Sequence, residues 1–199
     1  MPYPHTSWTH TEDALTSIRK RFYPYLIPPP LDCWLEAGPG HGEYLLEAAQ
    51  KTHFSFYYGI EISKTSADMC QELLDAHKDD FSGKKVAVEQ KNFFDLKNQI
   101  FDAVVIGEVL EHVENPASFL EKIREITTEK SFIYVATVAN CPQKDHIYLF
   151  HSVAEIESLY RKNGFEIVDS ISVPTNGYTL EKALKQKAAI NTAHILRRI

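Results

Sequence analysis

The chain has 199 residues, of which 44% are hydrophobic, and this length and composition suit one globular domain with a sizeable core. Its net charge of −6 and isoelectric point of about 5.8 exclude a general attraction to polyanions, so we expect no nucleic-acid partner. Three scattered cysteines, an N-terminus unlike a signal peptide and the lack of any apolar run of about 18 residues indicate a cytoplasmic protein with no membrane partner.

Residues 1–30 form a predicted lead-in segment that precedes the main domain, residues 31–199. Thr11-Glu12-Asp13 predicts the start of a helix, and Pro28-Pro29-Pro30 ends the segment because proline cannot continue a helix. The lead-in contains many aromatic residues for a solvated tail, namely Tyr3, Trp8, Phe22, Tyr23 and Tyr25. We expect these side chains either to cover a ligand site or to pack against the sheet.

Strands and helices alternate after the lead-in, which predicts a mostly parallel sheet with right-handed crossovers. The predicted strands are Leu31–Glu36, Phe54–Ile62, Lys85–Gln90, Phe101–Ile106, Ser131–Val138, Phe165–Val173 and Ile190–Ile199. The predicted helices are Glu43–Lys51, Lys64–Lys78, Pro116–Thr127, Val153–Asn163 and Leu180–Lys187. A hairpin between the last two strands would add an antiparallel pair at one edge of the sheet.

The turn after the first strand, Glu36-Ala37-Gly38-Pro39-Gly40-His41-Gly42-Glu43, is the most informative segment. Glycine lets backbone amides approach a ligand, and a strand followed by such a turn and a helix holds nucleotide-type ligands. The third glycine comes one position earlier than in a dinucleotide fingerprint, and Glu43 suits an uncharged or cationic ligand better than pyrophosphate. We expect Glu36, Gly38 and Gly40 to contact a cofactor; the alternative is a plain glycine-rich turn.

This turn resembles motif I of the class I S-adenosylmethionine (SAM) methyltransferases, which reads acid-x-Gly-x-Gly-x-Gly. A second stretch, Gly107-Glu108-Val109-Leu110-Glu111-His112-Val113-Glu114-Asn115-Pro116, resembles the E-x-L-E-H-x-x-x-P stretch of methyltransferases of the ubiquinone-biosynthesis type. The resemblance covers roughly residues 31–169. It implies a Rossmann-like class I methyltransferase sandwich, with a mostly parallel seven-stranded sheet and an antiparallel edge hairpin. It also implies SAM as the cofactor and a small molecule as the substrate.

The ends of the next three strands provide the other expected cofactor contacts. Glu61 ends the second strand, where a carboxylate can accept two hydrogen bonds from a ribose diol. Dinucleotide-binding proteins share this position, so it indicates a ribose and not specifically SAM. The alternative is that Glu61 caps a helix or is a surface acid. The resemblance implies that Asn92 and Phe93 contact adenine and that Glu108 contacts the methionine end of SAM. The complete expected set is Glu36, Gly38, Gly40, Glu61, Ile62, Asn92, Phe93 and Glu108.

The loop after the fifth strand, Asn140–Ser152, holds most of the groups that could act on a methyl acceptor. In this fold the loop faces the departing methyl group, and histidine can deprotonate a hydroxyl or an amine near neutral pH. The candidate catalytic residues are His112, Asp145, His146, Tyr148 and His151. Each loop residue could instead make a structural hydrogen bond. His112 could line the substrate side or could be a helix-terminus histidine satisfied by backbone.

We expect no metal site, because the spacing of Asp145, His146 and His151 matches no common ligand pattern. Three functions remain, and we expect the first; the intact glycine turn and Glu61 argue against a degenerate site and so against the third. They are a SAM-dependent methyltransferase that methylates O, N or C of a small molecule by in-line displacement, an enzyme that consumes SAM by cyclisation or elimination and releases methylthioadenosine, and a non-catalytic SAM-binding partner protein. The sequence leaves the acceptor, the attacked atom and the oligomeric state open.

Overall fold

The computed structural model of the protein describes residues 32–81 and 83–199. The lead-in, residues 1–30, lies outside the described residues, so its helix, its aromatic side chains and the domain boundary stay predictions. Among the described residues, no helix has the length and apolarity that crossing a bilayer requires.

One seven-stranded sheet organises the described chain, and it confirms the predicted Rossmann-like sandwich. Its strands are β1 (Cys33–Ala37), β2 (Phe56–Glu61), β3 (Lys85–Gln90), β4 (Ala103–Gly107), β5 (Phe132–Ala139), β6 (Phe165–Pro174) and β7 (Ile190–Arg198). The helices are α1 (Glu43–Lys51), α2 (Lys64–Ala76), α3 (Pro116–Glu125), α4 (Val153–Lys162) and α5 (Leu180–Gln186). Every strand and helix predicted after the lead-in is present, with ends that agree within about two residues, the usual uncertainty of such boundaries.

The strand order is β3-β2-β1-β4-β5-β7-β6. The first five strands run parallel, whereas β7 runs antiparallel to both β5 and β6. The predicted hairpin of the last two strands is therefore confirmed. Its strand β7 lies between β5 and β6, and β6 forms the edge of the sheet. The sequence did not indicate this insertion, because hydrophobic patterning shows that a strand is buried and leaves its neighbours undefined.

The sheet changes direction of growth at β1, which lies between β2 and β4. Glu36 of β1 is in register with Gly59 on one side and with Val105 on the other. The chain adds β2 and β3 on one side and then crosses over to add β4 and β5 on the other. In open α/β sheets, such a switch point leaves a crevice at the carboxyl ends of the strands, where ligands bind.

Apolar side chains cover both faces of the sheet, because successive residues of a strand point to opposite faces. One face buries Leu35, Ile60, Val104 and Ile133 against α3 and α4, through Phe119, Leu120, Ile123, Ile156 and Tyr160. The other face buries Trp34, Tyr57, Val105 and Tyr134 against α1 and α2, through Leu45, Ala48, Ala49, Cys70 and Leu74. The two layers fix the helices on the sheet and so hold the crevice at its carboxyl edge in place.

A histidine lies in the core beneath α4. His194 of β7 is fully buried and packs edge-on against Tyr160, with ring centroids 5.1 Å apart. In the part of the chain that the structure describes, neither of its ring nitrogens has a hydrogen-bond partner. Burial lowers the pKa of His194 from 6.5 to about 4, and the Glu157 carboxylate, 3.9 Å from Nε2, only partly opposes this shift.

We expect His194 to make the fold less stable in mild acid. The unfolded chain takes up a proton at this histidine near pH 6.5, whereas the folded chain takes it up only near pH 4. With respect to His194, the free energy of unfolding therefore has its full value above about pH 6.5 and decreases as the pH falls toward 4. Linkage sets the loss at about 2–3 kcal/mol of unfolding free energy between pH 7.5 and 4.5.

Denaturant unfolding of the wild type and of His194→Phe at several pH values measures this contribution. Phenylalanine fills the same buried space and does not titrate, so the difference between the two proteins should change by about that amount across the window. A difference that stays constant from pH 7.5 to 4.5 would mean that His194 titrates normally in the folded protein.

Candidate functional site

The glycine turn between β1 and α1 has left-handed backbone at three positions. The φ angles are 71° at Gly38, 55° at Gly40 and 91° at Gly42. A Cβ atom at Gly38 would lie 2.8 Å from Cγ2 of Val109, and one at Gly42 would lie 2.5 Å from Sγ of Cys70. Among residues 32–81 and 83–199, no atom would lie within 4 Å of a Cβ at Gly40. The described part of the chain therefore leaves space beside the backbone at Gly40, where a ligand can approach it closely.

Glu61 joins the end of β2 to this turn. One carboxylate oxygen accepts a hydrogen bond from the backbone N–H of Gly40 at 3.1 Å, and the other accepts one from the N–H of Ser63 at 2.9 Å. The next side chain, Ile62, is 70% exposed at the same edge of the sheet. A carboxylate and an apolar side chain thus follow each other at the end of β2, and their contacts with a cofactor stay predictions.

The carboxylates of Glu36 and Glu61 lie in one neighbourhood. Both are buried, and both face the thiol of Cys70, which packs under Gly42. Burial, reinforced by the charges of Glu36 and Glu61, raises the pKa of the Cys70 thiol to about 12. Two acidic side chains, Glu36 and Glu61, therefore lie beneath the glycine turn.

At the end of β3, three consecutive residues have different structural roles that the sequence did not indicate. The side-chain oxygen of Asn92 accepts a hydrogen bond from the N–H of Phe94 and caps a short turn. The ring of Phe93 is buried and stacks on Phe119 with centroids 4.0 Å apart. Phe94 is instead the exposed ring of this turn. Contacts of Asn92 and Phe93 with adenine stay predictions, and Phe94 is a further candidate.

The exit of β4 has an unusual backbone. Glu108 has φ of 55°, a conformation that non-glycine residues rarely adopt and that often marks functional sites. Its N–H still donates to the carbonyl of Ala136 at 3.0 Å, so the turn begins directly at the sheet. The short helical turn Leu110–His112 then buries Glu111. The Glu111 carboxylate accepts a 2.7 Å hydrogen bond from the hydroxyl of Thr137 in β5.

Two histidines that are far apart in the chain meet at this edge. The rings of His112 and His146 lie edge to face, with centroids 5.0 Å apart. Nδ1 of His112 donates to the carbonyl of Asp145 at 2.9 Å, and Nδ1 of His146 donates to the carbonyl of Cys141 at 2.7 Å. A carbonyl only accepts hydrogen bonds, so each Nδ1 carries a proton, and in the neutral imidazole the lone pair is then on Nε2.

The rest of the loop is anchored to the same region. The N–H of Tyr148 donates to the carbonyl of Glu111 at 2.9 Å, and the Tyr148 ring packs against Phe150. His151 is exposed, and its N–H donates to the Glu155 carboxylate at 2.8 Å. The N–H of Glu155 in turn donates to the Ser152 hydroxyl. His151 thus stands at the start of α4, whereas Asp145 and Tyr148 lie over the exit of β4.

Sequence reasoning assigned no role to Glu111 or Thr137. Two features of the sequence could have drawn attention to these residues. Glu111 is within the stretch that carries the resemblance, and Thr137 places a hydroxyl in a largely apolar, buried strand. Burial, reinforced by the charges of Glu108, Glu111 and Asp145, raises the pKa of the nearby Cys141 thiol. The exits of β4 and β5 therefore form a second acidic region beside the two histidines.

A family profile described as a methyltransferase domain matches residues 7–170. No curated protein sequence matches the chain at a significant level.

Several solved structures share the fold across nearly the whole chain. A mycolic acid cyclopropane synthase complexed with SAH and CTAB has a TM-score of 0.75 at 12% identity, covering 98% of this chain and 88% of that chain. Geranyl diphosphate C-methyltransferase from Streptomyces coelicolor A3(2) has a TM-score of 0.72 at 14% identity, covering 99% and 88%. Magnesium protoporphyrin IX methyltransferase from Synechocystis PCC 6803 has a TM-score of 0.71 at 17% identity, covering 100% and 86%.

These structural likenesses establish the fold, and the profile match establishes the family. The resemblance to the ubiquinone-biosynthesis type is a finer assignment and stays a prediction. The glycine turn, the seven-stranded sheet and the match over residues 7–170 lead to one conclusion: the chain belongs to the class I S-adenosylmethionine-dependent methyltransferase family.

Proposed function

We propose that the protein binds SAM at the carboxyl edge of β1 and β2 and transfers its methyl group to a small molecule. The observation that carries this proposal is the space that the described residues leave open over Gly40, next to the Glu61 carboxylate that accepts the Gly40 N–H. The exposed Ile62 side chain follows Glu61 at the same end of β2. Transfer proceeds by in-line displacement at the sulfonium, and most of the acceleration comes from positioning and the exclusion of water.

The charge of the site supports a cationic cofactor. SAM carries a sulfonium and an ammonium group and has no phosphate, so it gains from the carboxylates of Glu36 and Glu61 where a pyrophosphate would be repelled. Each carboxylate has about four acceptor positions, and the two backbone bonds of Glu61 leave room for ribose hydroxyls. Glu108, at the exit of β4, lies on the side expected for the methionine end.

Two structural neighbours support this choice of ligand. The protoporphyrin methyltransferase has SAM bound, and the geranyl diphosphate methyltransferase holds geranyl diphosphate together with S-adenosyl-L-homocysteine. With the nucleoside held at β1 and β2, the sulfonium points toward the exits of β4 and β5. There Asp145, Tyr148 and His151 can position or deprotonate an acceptor, beside His112 and His146.

Product analysis tests the reaction. Purified protein is incubated with SAM and a small-molecule extract, and products are identified by mass. Methyl transfer yields S-adenosylhomocysteine together with an acceptor heavier by one methylene. Methylthioadenosine would instead identify cyclisation or elimination, and the lack of any turnover with intact SAM binding would identify a binding protein.

The variant Gly40→Val should weaken SAM binding at least tenfold, or about 1.4 kcal/mol. The branched side chain would enter the open space beside the turn, at a φ of 55° that valine adopts poorly. Gly83→Val is the matched control, because Gly83 also has a positive φ and no described atom would lie within 4 Å of a Cβ there. Gly83 precedes β3 and so lies at the amino edge of the sheet, opposite the glycine turn. Calorimetry should show weakened binding for Gly40→Val alone; equal affinities for both folded variants would exclude this location.

The variant Glu61→Ala should weaken SAM binding by about 1.5–3 kcal/mol, the range for hydrogen bonds to a charged group. Because Glu61 also holds the turn at Gly40, a second measurement separates the two effects. A 2′,3′-dideoxyribose analogue of SAM should bind the wild type more weakly than SAM, yet bind Glu61→Ala as tightly as SAM does. An analogue that loses affinity equally for both proteins would show that Glu61 is not the ribose partner.

A further inference from the structure

Three side chains at the exits of β4 and β5 form a compact set of potential metal ligands. In residues 32–81 and 83–199, Glu111, His112 and His146 each offer one ligand atom, and these atoms all lie within 4.8 Å of one another. Zinc bonds of about 2 Å in tetrahedral geometry separate ligand atoms by about 3.4 Å. Small side-chain rotations would therefore bring all three atoms onto one ion.

The hydrogen bonds of both histidines prepare them for this role. His112 and His146 each donate Nδ1–H to a backbone carbonyl, which fixes the ring orientation and leaves the Nε2 lone pair available. Metal-binding histidines are held in this way by carbonyl or carboxylate partners, which also increase their basicity as ligands. Two histidines with the same tautomer and rings 5.0 Å apart are thus arranged as a ligand pair.

The third potential ligand is a buried carboxyl group. Glu111 is 1% exposed, and within the described residues its carboxyl group accepts a hydrogen bond from the neutral hydroxyl of Thr137. Among the ion pairs of the described residues, none includes Glu111. A buried carboxylate is costly unless a cation compensates it, and the charges of Glu108 and Asp145 nearby add to the negative field. A divalent ion would supply this compensation.

We propose that Glu111, His112 and His146 bind a divalent transition-metal ion of the Zn²⁺ or Co²⁺ kind. Two imidazoles and one carboxylate suit such ions, whereas Mg²⁺ and Ca²⁺ prefer all-oxygen sites. Three protein ligands leave a coordination position open for an exogenous oxygen. This departs from the sequence expectation of no metal, because the set uses Glu111 and His112 in place of Asp145 and His151.

The open position defines the acceptor, and this step rests on the proposed methyl transfer. A hydroxyl bound to the ion is acidified, so its proton leaves to solvent or to a neighbouring base. The resulting metal-bound oxygen attacks the methyl carbon: the O–CH₃ bond forms, the S–CH₃ bond breaks, and its electron pair stays on sulfur. The substrate class is therefore a small molecule with a hydroxyl that can bind the ion, and the reaction is O-methylation without redox change.

Metal titration of the chelator-treated, tag-free protein tests the site directly. We expect one Zn²⁺ or Co²⁺ per chain by calorimetry and by the visible absorption of bound Co²⁺. Glu111→Gln, His112→Ala and His146→Ala should each weaken binding by more than about tenfold, because each removes a ligand rather than one of its supports. His53→Ala is the matched control, since His53 is exposed between α1 and β2 and should not affect binding.

Thermal unfolding serves as the control that the variants are folded. Glutamine at position 111 keeps the size of the side chain and an acceptor for Thr137, so the metal-free variant should melt near the metal-free wild type. Zn²⁺ should raise the melting temperature of the wild type and leave that of Glu111→Gln unchanged. A wild type that binds no stoichiometric ion, or ligand variants that bind as well as His53→Ala, would overturn the proposal.

SAM binding measured with and without chelator separates this inference from the proposed function. We expect Glu111→Gln to bind SAM as the wild type does while its turnover falls, and chelation followed by Zn²⁺ to abolish and restore turnover of the wild type. Full turnover in chelator would refute the metal site and leave methyl transfer intact. A stoichiometric metal with no SAM binding would refute the proposed function and leave the metal site intact.

Discussion

The site depends on a constraint at the switch point of the sheet, where the chain turns sharply between β1 and α1 and has no room for a Cβ atom at two positions. The backbone at Gly38 and Gly42 lies so close to Val109 and Cys70 that any Cβ would collide. The Glu61 carboxylate accepts the N–H of Gly40 and thereby joins the exit of β2 to this turn. One carboxylate thus ties the exit of β2 to the turn after β1, at the edge where we propose that the cofactor binds.

A second set of bonds shapes the other half of the crevice. The loop after β5 is tied to the exit of β4 by two hydrogen bonds, from His112 to the carbonyl of Asp145 and from Tyr148 to the carbonyl of Glu111. These bonds bring the two histidines together and place Glu111 beneath them. The same contacts that close the loop therefore bring together the three side chains that we propose as metal ligands.

Local sequence patterns predicted the helices and strands well, because hydrophobic periodicity and turn residues depend on neighbours that are close in the chain. The helix Glu43–Lys51 and the strand Lys85–Gln90 were predicted with the bounds that the structure shows. Residue types also led to the expectation of a cofactor site, from glycines at alternate positions and Glu61 at a strand end, and the contacts of that site stay predictions. The prediction was less complete at Asn92 and Phe93, since stacking on Phe119 and capping of Phe94 are decided by neighbours from other elements.

The sequence by itself determined the elements, their alternation, the family resemblance and the charge of the expected ligand, because hydrophobic period, turn chemistry and carboxylates are local properties. Only the tertiary structure decided that β7 lies between β5 and β6, and that Glu111 and His112 meet His146. Residues distant in the chain acquire a common geometry only when strands pair and loops close over them. The spacing of Asp145, His146 and His151 could not reveal that set, since two of its three members lie at the exit of another strand.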